Sequence, residues 1–420
     1  AVDNISNVNV NLNYYKYLDD MFELLRHARK NLPLAKKALL MRVYITLHHF
    51  APIKAVDECD IVLKKLKQYK MVDDRPFCLS IMELKAHALM NAGLYPDGEI
   101  LLKEIQADWL CNKEILSDET LFDLYDRLAA VYRAFNLIDL SKTYNTLSIT
   151  LADKLDDNRL RALAYRTKFK ITLYPNMDLS SESLRKSIEA TALMPSKRIE
   201  TDNSLDVCAL EILSNSTVHQ DKLILKLNSM LQDIEANNLH RAQIHCFFLL
   251  AICNLLKGEE KATLLAKEYV DRAINLSTSY GIVGYLWRLY NLQAIIGIRM
   301  GFDSQHIYKI FFTVFDILKK QGLLYIGNRD ACEGNILALS NIGYYLQERK
   351  FESQFYQTMS LVTFAGQEYS AYPNQNLSDN PVNTFLVQQY AKARKREILF
   401  AQNTPPNLLW DTQTRYLLIL

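Results

Sequence analysis

The sequence predicts an all-α fold: a superhelical rod of about eight antiparallel helical hairpins. Three observations predict it. Glycine and proline are scarce, 12 and 10 in 420 residues, about half of average usage. Sheet-rich and loop-rich chains need both at turns, so their scarcity calls for long elements and short connections. Apolar residues recur at helical spacing almost everywhere. The first helices of successive hairpins start near residues 33, 75, 117, 157, 202, 238, 280 and 329, steps of about 36 to 49 residues. A fixed step between helix pairs repeats one packing operation and builds a superhelix.

Element by element, the pattern places helices over 13–29, 33–50, 53–69, 75–92, 96–109, 117–135, 138–154, 157–173, 181–193, 202–214, 218–235, 238–257, 260–277, 280–300, 305–320, 329–348, 350–364 and 381–401. Stops stand at "NAGLYPDG" (Asn91 to Gly98), "LYPNMDLSS" (Leu173 to Ser181), "KGEE" after Leu256, "RMGFDS" (Arg299 to Ser304) and "KKQGLL" (Lys319 to Leu324). Ser117, Ser181 and Asp303/Ser304 are caps able to accept from open first-turn amides. After Pro405 the helical pattern breaks, and "TQTRYLLIL" (Thr412 to Leu420) reads as a strand. The expected organisation is a disordered or vector-derived start at 1–12, a solenoid over 13–402, and over 403–420 a linker with the start of a following domain.

In "CNLLKGEEKATLLAKEYVDRAINL" (Cys253 to Leu276), alanines 262, 266 and 273 stand where leucines would bury more surface. Paired helices approach to about 8–10 Å only where the contact residues are small. "LAAVYRAFNLIDLSKTYNTLS" (Leu128 to Ser148) carries the pattern best. Leu128 and Ala129 form a large-small pair on the first helix, with Tyr132 one turn on. Ser141 and Ser148 are the small residues of the second, with Tyr144 between. Ala266, Tyr269 and Ala273 repeat the second half, and Ile342-Gly343 opens a looser third copy. Over 33–364 these motifs resemble tetratricopeptide-like α-solenoids, with long units like those in helical sensor regions of bacterial transcription activators of the maltose-activator type. The tryptophan of the first helix and the proline ending the second are mostly missing. The resemblance implies a right-handed superhelix whose first helices line a concave face.

Lys and Arg number 49 against 47 Asp and Glu, a net charge of +2. Such balance gives no electrostatic drive toward nucleic acid. Seven scattered cysteines without a C-x-x-C suit free thiols in a reducing, cytoplasmic setting. The apolar run around "CFFLLAIC" is too short for a bilayer. Phosphate-cradling, zinc-protease and nucleophile-elbow motifs are absent from the sequence. His48 and His49 diverge by about 100° on a helix. His240 and His245 are five apart and share no helical face well. The expectation is therefore a non-enzymatic chain with no cofactor and no metal.

What remains is surface. Inward positions of the best unit are Asp126 and Arg133. With Leu163-Ala164 as the pair of the next unit, Arg161, Tyr165 and Lys168 point inward; further on, Arg288 and Asn291, then Tyr344 and Gln347. Cations there can hold a carboxylate, and tyrosine or asparagine can bond extended backbone or a sugar. The expected function is a protein-protein interaction scaffold that holds a protein or peptide segment in the concave groove. The alternative is a regulatory module of a signalling or transcription protein that senses a peptide or small-molecule effector. Neither involves a membrane, and a solenoid end offers a surface for a homodimer.

Overall fold

The computed structural model describes residues 32–49, 51–68, 75–135, 137–173, 177–214 and 220–322. All secondary structure among them is helical, with no strand. Fourteen α-helices follow in order: α1 Leu32–His49, α2 Pro52–Gln68, α3 Arg75–Asn91, α4 Tyr95–Cys111, α5 Asp118–Ala134, α6 Ile138–Lys154, α7 Asn158–Thr172, α8 Met177–Leu193, α9 Lys197–Ser214, α10 Gln220–Ala236, α11 His240–Leu256, α12 Glu260–Tyr280, α13 Leu286–Arg299 and α14 Ser304–Lys320. A 3₁₀ turn, Val283–Tyr285, precedes α13. The helices expected at 13–29 and beyond 329, the 1–12 and 403–420 segments, the strand and Ile342-Gly343 lie outside the described residues.

One turn chemistry joins many of these helices. Gly93, Asn238, Gly281 and Gly301 have positive φ, and an apolar residue follows each: Leu94, Leu239, Ile282 and Phe302. That residue's N–H returns to a carbonyl five residues back, as in Leu94 to Leu89 at 2.8 Å and Ile282 to Ser277 at 2.9 Å. This is the Schellman closure, with its hydrophobic residue just past the left-handed position. Side chains start other helices. The Ser117 hydroxyl accepts from the Thr120 N–H at 3.1 Å, and one Asp157 oxygen accepts from Arg159 and Leu160.

Three starts differ from the sequence reading: α13 begins at Leu286, six residues after the expected 280, because α12 runs on to Tyr280 and the 3₁₀ turn intervenes. α8 begins at Met177 and α9 at Lys197, four and five residues before the expected 181 and 202. Ser181 is therefore inside a helix rather than its cap. The opening of α9, "KRIETD", has only Ile199 buried as a large apolar residue. Its polar side chains face other charges, so the apolar period is missing where the helix starts.

Small residues hold the hairpins close. The buried Ser141 hydroxyl donates to the Ala129 carbonyl at 2.6 Å, from α6 to α5. Tyr132 stacks on Tyr144 with centroids 5.5 Å apart. Ala266 and Ala273 of α12 are fully buried within the cluster that contains α11, and Tyr269 lies 6.0 Å from Phe247. Ala266→Leu is expected to destabilise the chain by about 1–3 kcal/mol through overpacking. Urea denaturation checks it, and an unchanged midpoint would remove Ala266 from the seam.

The helices form two layers. Beyond its sequence neighbours, α1 touches α3, α3 touches α5, α5 touches α7, α7 touches α9, α9 touches α11 and α11 touches α13. No pair of even-numbered helices has comparable contact. The odd helices thus form the more closely packed, inner layer, and the even helices the more separated, outer one.

The described chain also returns onto itself. α3 packs against the 3₁₀ turn. Arg241 of α11 donates to the Asn91 side-chain oxygen at 2.9 Å, across 150 residues. Gln321, just past α14, donates to the Val283 carbonyl at 2.8 Å. Its side chain also fills the space a Cβ on Gly93 would need, at 2.9 Å. Gly322 sits against Pro96. The largest hydrophobic cluster accordingly joins α3–α5 to α9–α14, while smaller clusters hold α1–α2 and much of α6–α8.

Candidate functional site

The inner faces of the odd helices carry charge where a core would carry leucine. On α5 the buried Asp126 accepts from the Thr167 hydroxyl of α7 at 2.7 Å and from its neighbour Arg127 at 3.4 Å. Arg127 Nε reaches Glu83 of α3 at 3.3 Å. Burial, with Asp123 nearby, pushes the Glu83 carboxyl up to about 8. Burial also raises Asp123 and Asp126 and holds His87 well below the usual histidine range. Next to Thr167 on α7, Arg166 donates from Nε to Asp206 at 2.5 Å and from Nη1 to Asp202 at 2.7 Å. The two aspartates stand four apart on α9, so both face one guanidinium. Burial alone would raise both carboxyls, but the Arg166 charge outweighs it and holds them below the ordinary range.

Toward the returning end of the chain the balance changes sign. Arg133 of α5, Lys170 of α7, Arg241 of α11 and Arg288 of α13 converge with Tyr95 and Tyr285. Burial lowers the Arg133 guanidinium, and the like charges of Arg288 and Arg241 lower it further. Burial, then Arg166, brings the Lys170 ammonium down to about 7; Arg241 and Arg133 add to this, while Asp206 opposes. The Arg288 guanidinium lies over the rings of Trp287 (5.2 Å) and Tyr285 (5.7 Å). Its Nε is buried without a hydrogen-bond partner. Burial lowers it as well, opposed by Tyr285 and Tyr95. His245 lies 5.6 Å from the Tyr285 ring, and burial brings it down to about 4. Arg133, Lys170, His245, Tyr285 and Arg288 all keep partial solvent exposure.

Of the residues expected inward, Asp126, Arg133 and Arg288 stand on this inner surface. Arg161, Tyr165 and Lys168 lie toward α6 and α8 instead. Arg161 donates to Asp153 at 2.8 Å and Asp156 at 2.9 Å, near the α6–α7 turn. Tyr165 lies under Lys186 of α8 at 5.5 Å, and Lys168 is an electrostatic neighbour of Glu182 on α8. The physical reason is register. The Phe169 carbonyl accepts the Ser180 hydroxyl at 2.9 Å, as the Ala129 carbonyl accepts that of Ser141. Phe169, not Ala164, is therefore the counterpart of Ala129, and Arg166 the counterpart of Asp126. Asn291 is fully buried in the packing of α13 rather than on an accessible face. Tyr344 and Gln347 lie outside the described residues.

Arg166, Lys170, Asp202, Asp206, Arg241 and His245 were not among the expected site residues. Their signal is in the sequence as polar pairs four apart on one helix: 166 and 170, 202 and 206, 241 and 245. It is clearest in α11, where Arg241 and His245 precede a continuous buried run from Cys246 to Leu256. His240 turns elsewhere and stacks on Tyr280 at 3.8 Å. Among the described residues no cluster of His, Cys, Asp or Glu is arranged to hold a metal ion, and no helix is long and apolar enough to cross a membrane. Burial pushes the thiols of Cys59 and Cys208 up to about 12 and about 11, which suits packing rather than nucleophilic chemistry. Compared with known proteins, the chain matches no family model and no curated protein.

Proposed function

We propose that this chain is a non-catalytic regulatory module that senses an effector, a small molecule or short peptide, held on the inner face of its helical stack. The observation that carries this reading is the row of charged side chains on odd helices beside a stack that returns onto itself. A ligand on that face touches α5, α7, α11 and α13 together. It can therefore bias how tightly the two ends of the described chain meet, and a neighbouring domain in a signalling or transcription protein can read that change. The fold is read as a tetratricopeptide-like, right-handed superhelix of about eight hairpins in a cytoplasmic protein.

The second reading, a scaffold for protein segments, draws support from the outer layer. Ile100 and Leu110 of α4, Leu225 of α10 and Leu264 and Leu265 of α12 are exposed there. Thermal-shift screening of metabolite and peptide libraries separates the two. A binder at 100 times its Kd adds about 2.7 kcal/mol of stability. The sensing reading expects small ligands or short peptides whose stabilisation disappears with Arg241→Ala and Lys170→Ala. Binding restricted to long segments, insensitive to those changes and protecting α4, α10 and α12 in hydrogen exchange, would replace it with the scaffold.

A further inference from the structure

We infer that Arg133, Lys170 and Arg288, with Arg241 at the rim and the hydroxyls of Tyr95 and Tyr285 as donors, form a binding site for an anionic group, a phosphate or a carboxylate. This rests on the reading of the inner face as the ligand surface and names the chemistry of what it takes. The argument is one of missing counter-ions. Elsewhere on the inner face two cations have their carboxylates: Arg127 has Glu83 and Asp126, and Arg166 has Asp202 and Asp206; the Nε of Arg198, on α9, is buried without a hydrogen-bond partner, as that of Arg288 is. Among the described residues no carboxylate bonds Arg133, Lys170 or Arg288. The acid nearest to them in effect is Asp206, already committed to Arg166.

Four helices bring these cations together against mutual repulsion. A buried guanidinium without a partner is costly to hold, and burial that Arg288 Nε endures without a bond is relieved once an oxyanion enters. The planar arginine donors suit bidentate bonding to a phosphate or carboxylate. The rings of Tyr285 and Trp287 lie beside the Arg288 guanidinium. The Lys170 ammonium faces Arg166, Arg133, Arg241, His245 and Asp206. An added anion tips that balance toward its charged form, so binding takes up protons near neutral pH.

The test uses pyrophosphate and citrate as probes of the two oxyanion chemistries, with calorimetry at low ionic strength. Saturable one-to-one binding of at least one probe is expected. It should weaken tenfold or more in Arg133→Gln and in Arg288→Gln, stay unchanged in Arg185→Gln on the outer layer, and tighten as pH falls from 8 to 6. Which probe binds assigns the group. The unliganded Arg133→Gln protein should melt no lower than the wild type, because it loses repulsion rather than a bond; a folded variant that no longer binds is then a clean result. Equal binding by wild type and the Arg133→Gln/Arg288→Gln double variant, or no saturable binding of either probe, overturns the anion site. A neutral ligand from the library screen that survives the double variant but needs Asp202 and Asp206 would overturn it too, yet leave the inner-face reading standing. Ligands indifferent to every inner-face change would remove both.

Discussion

Arg166→Met is expected to destabilise the chain by about 3–5 kcal/mol at pH 7, the usual effect of removing one partner from a buried ion pair. The methionine fills most of the space, so the effect is electrostatic. Asp202 and Asp206 lose the guanidinium that now takes both, at 2.7 and 2.5 Å. Side-chain exposures of 15% for Arg166 and 4% for Asp206 leave little water to replace it.

The pH dependence gives the sign. In the wild type both carboxyls are held below their ordinary value of 3.8. They contribute stability that is present above that value and lost as pH falls through the depressed folded-state values. In Arg166→Met the same burial acts unopposed and raises them, so protonation relieves the variant. The gap between the two proteins should therefore be widest near neutrality and narrow toward pH 4. Urea titrations at both pH values check it. A constant gap would mean that Arg166 acts through packing.

The second large effect is at the place where the described chain meets itself. Gly322 has φ +69°, and a Cβ there would overlap the Pro96 ring at the start of α4. Gly322→Val faces about 1–2 kcal/mol for the left-handed backbone and about 1–3 kcal/mol for overpacking. Gly301 has φ +72° with open space around its Cβ position, so Gly301→Ala isolates the backbone part. Hydrogen exchange should quicken in α4, the 3₁₀ turn and the end of α14 in Gly322→Val, and stay at wild-type rates in α6–α8. Uniform quickening throughout would mean that the contact is not a local closure.

The helical elements were largely legible because the apolar period depends only on near neighbours along the chain. Within the described residues most ends fall within two or three positions of the sequence reading. The exceptions are α8 and α9, which start on polar turns, and α13, which starts only after the 3₁₀ turn that the apolar period runs through. In α9 the polar turns face other charges, so a period that assumes water on the polar side misses them. The site was legible on α5, where Leu128-Ala129 sets the inward positions of Asp126 and Arg133. It failed on α7 because Ala164 packs against α6, whose Asn145 donates to its carbonyl at 2.9 Å, while Phe169 holds the matching place at the α7–α8 contact; Arg161, Tyr165 and Lys168 moved off the inner face with the register. The return of the chain was not legible at all. Asn91 and Arg241, or Pro96 and Gly322, have no local pattern that announces their contact, and the cationic cluster depends on it.

A chemical cross-link tests that return most directly. Asn91→Cys and Arg241→Cys, with Cys111 and Cys332 changed to serine, place two thiols where the wild-type side chains bond at 2.9 Å. A short bismaleimide should join the peptides carrying residues 91 and 241 within a monomer, as readily as it joins a Glu211→Cys/Lys226→Cys pair across neighbouring helices. Efficient linking of the neighbouring pair, with residues 91 and 241 joined only between molecules or not at all, would contradict the closure and with it the cationic cluster.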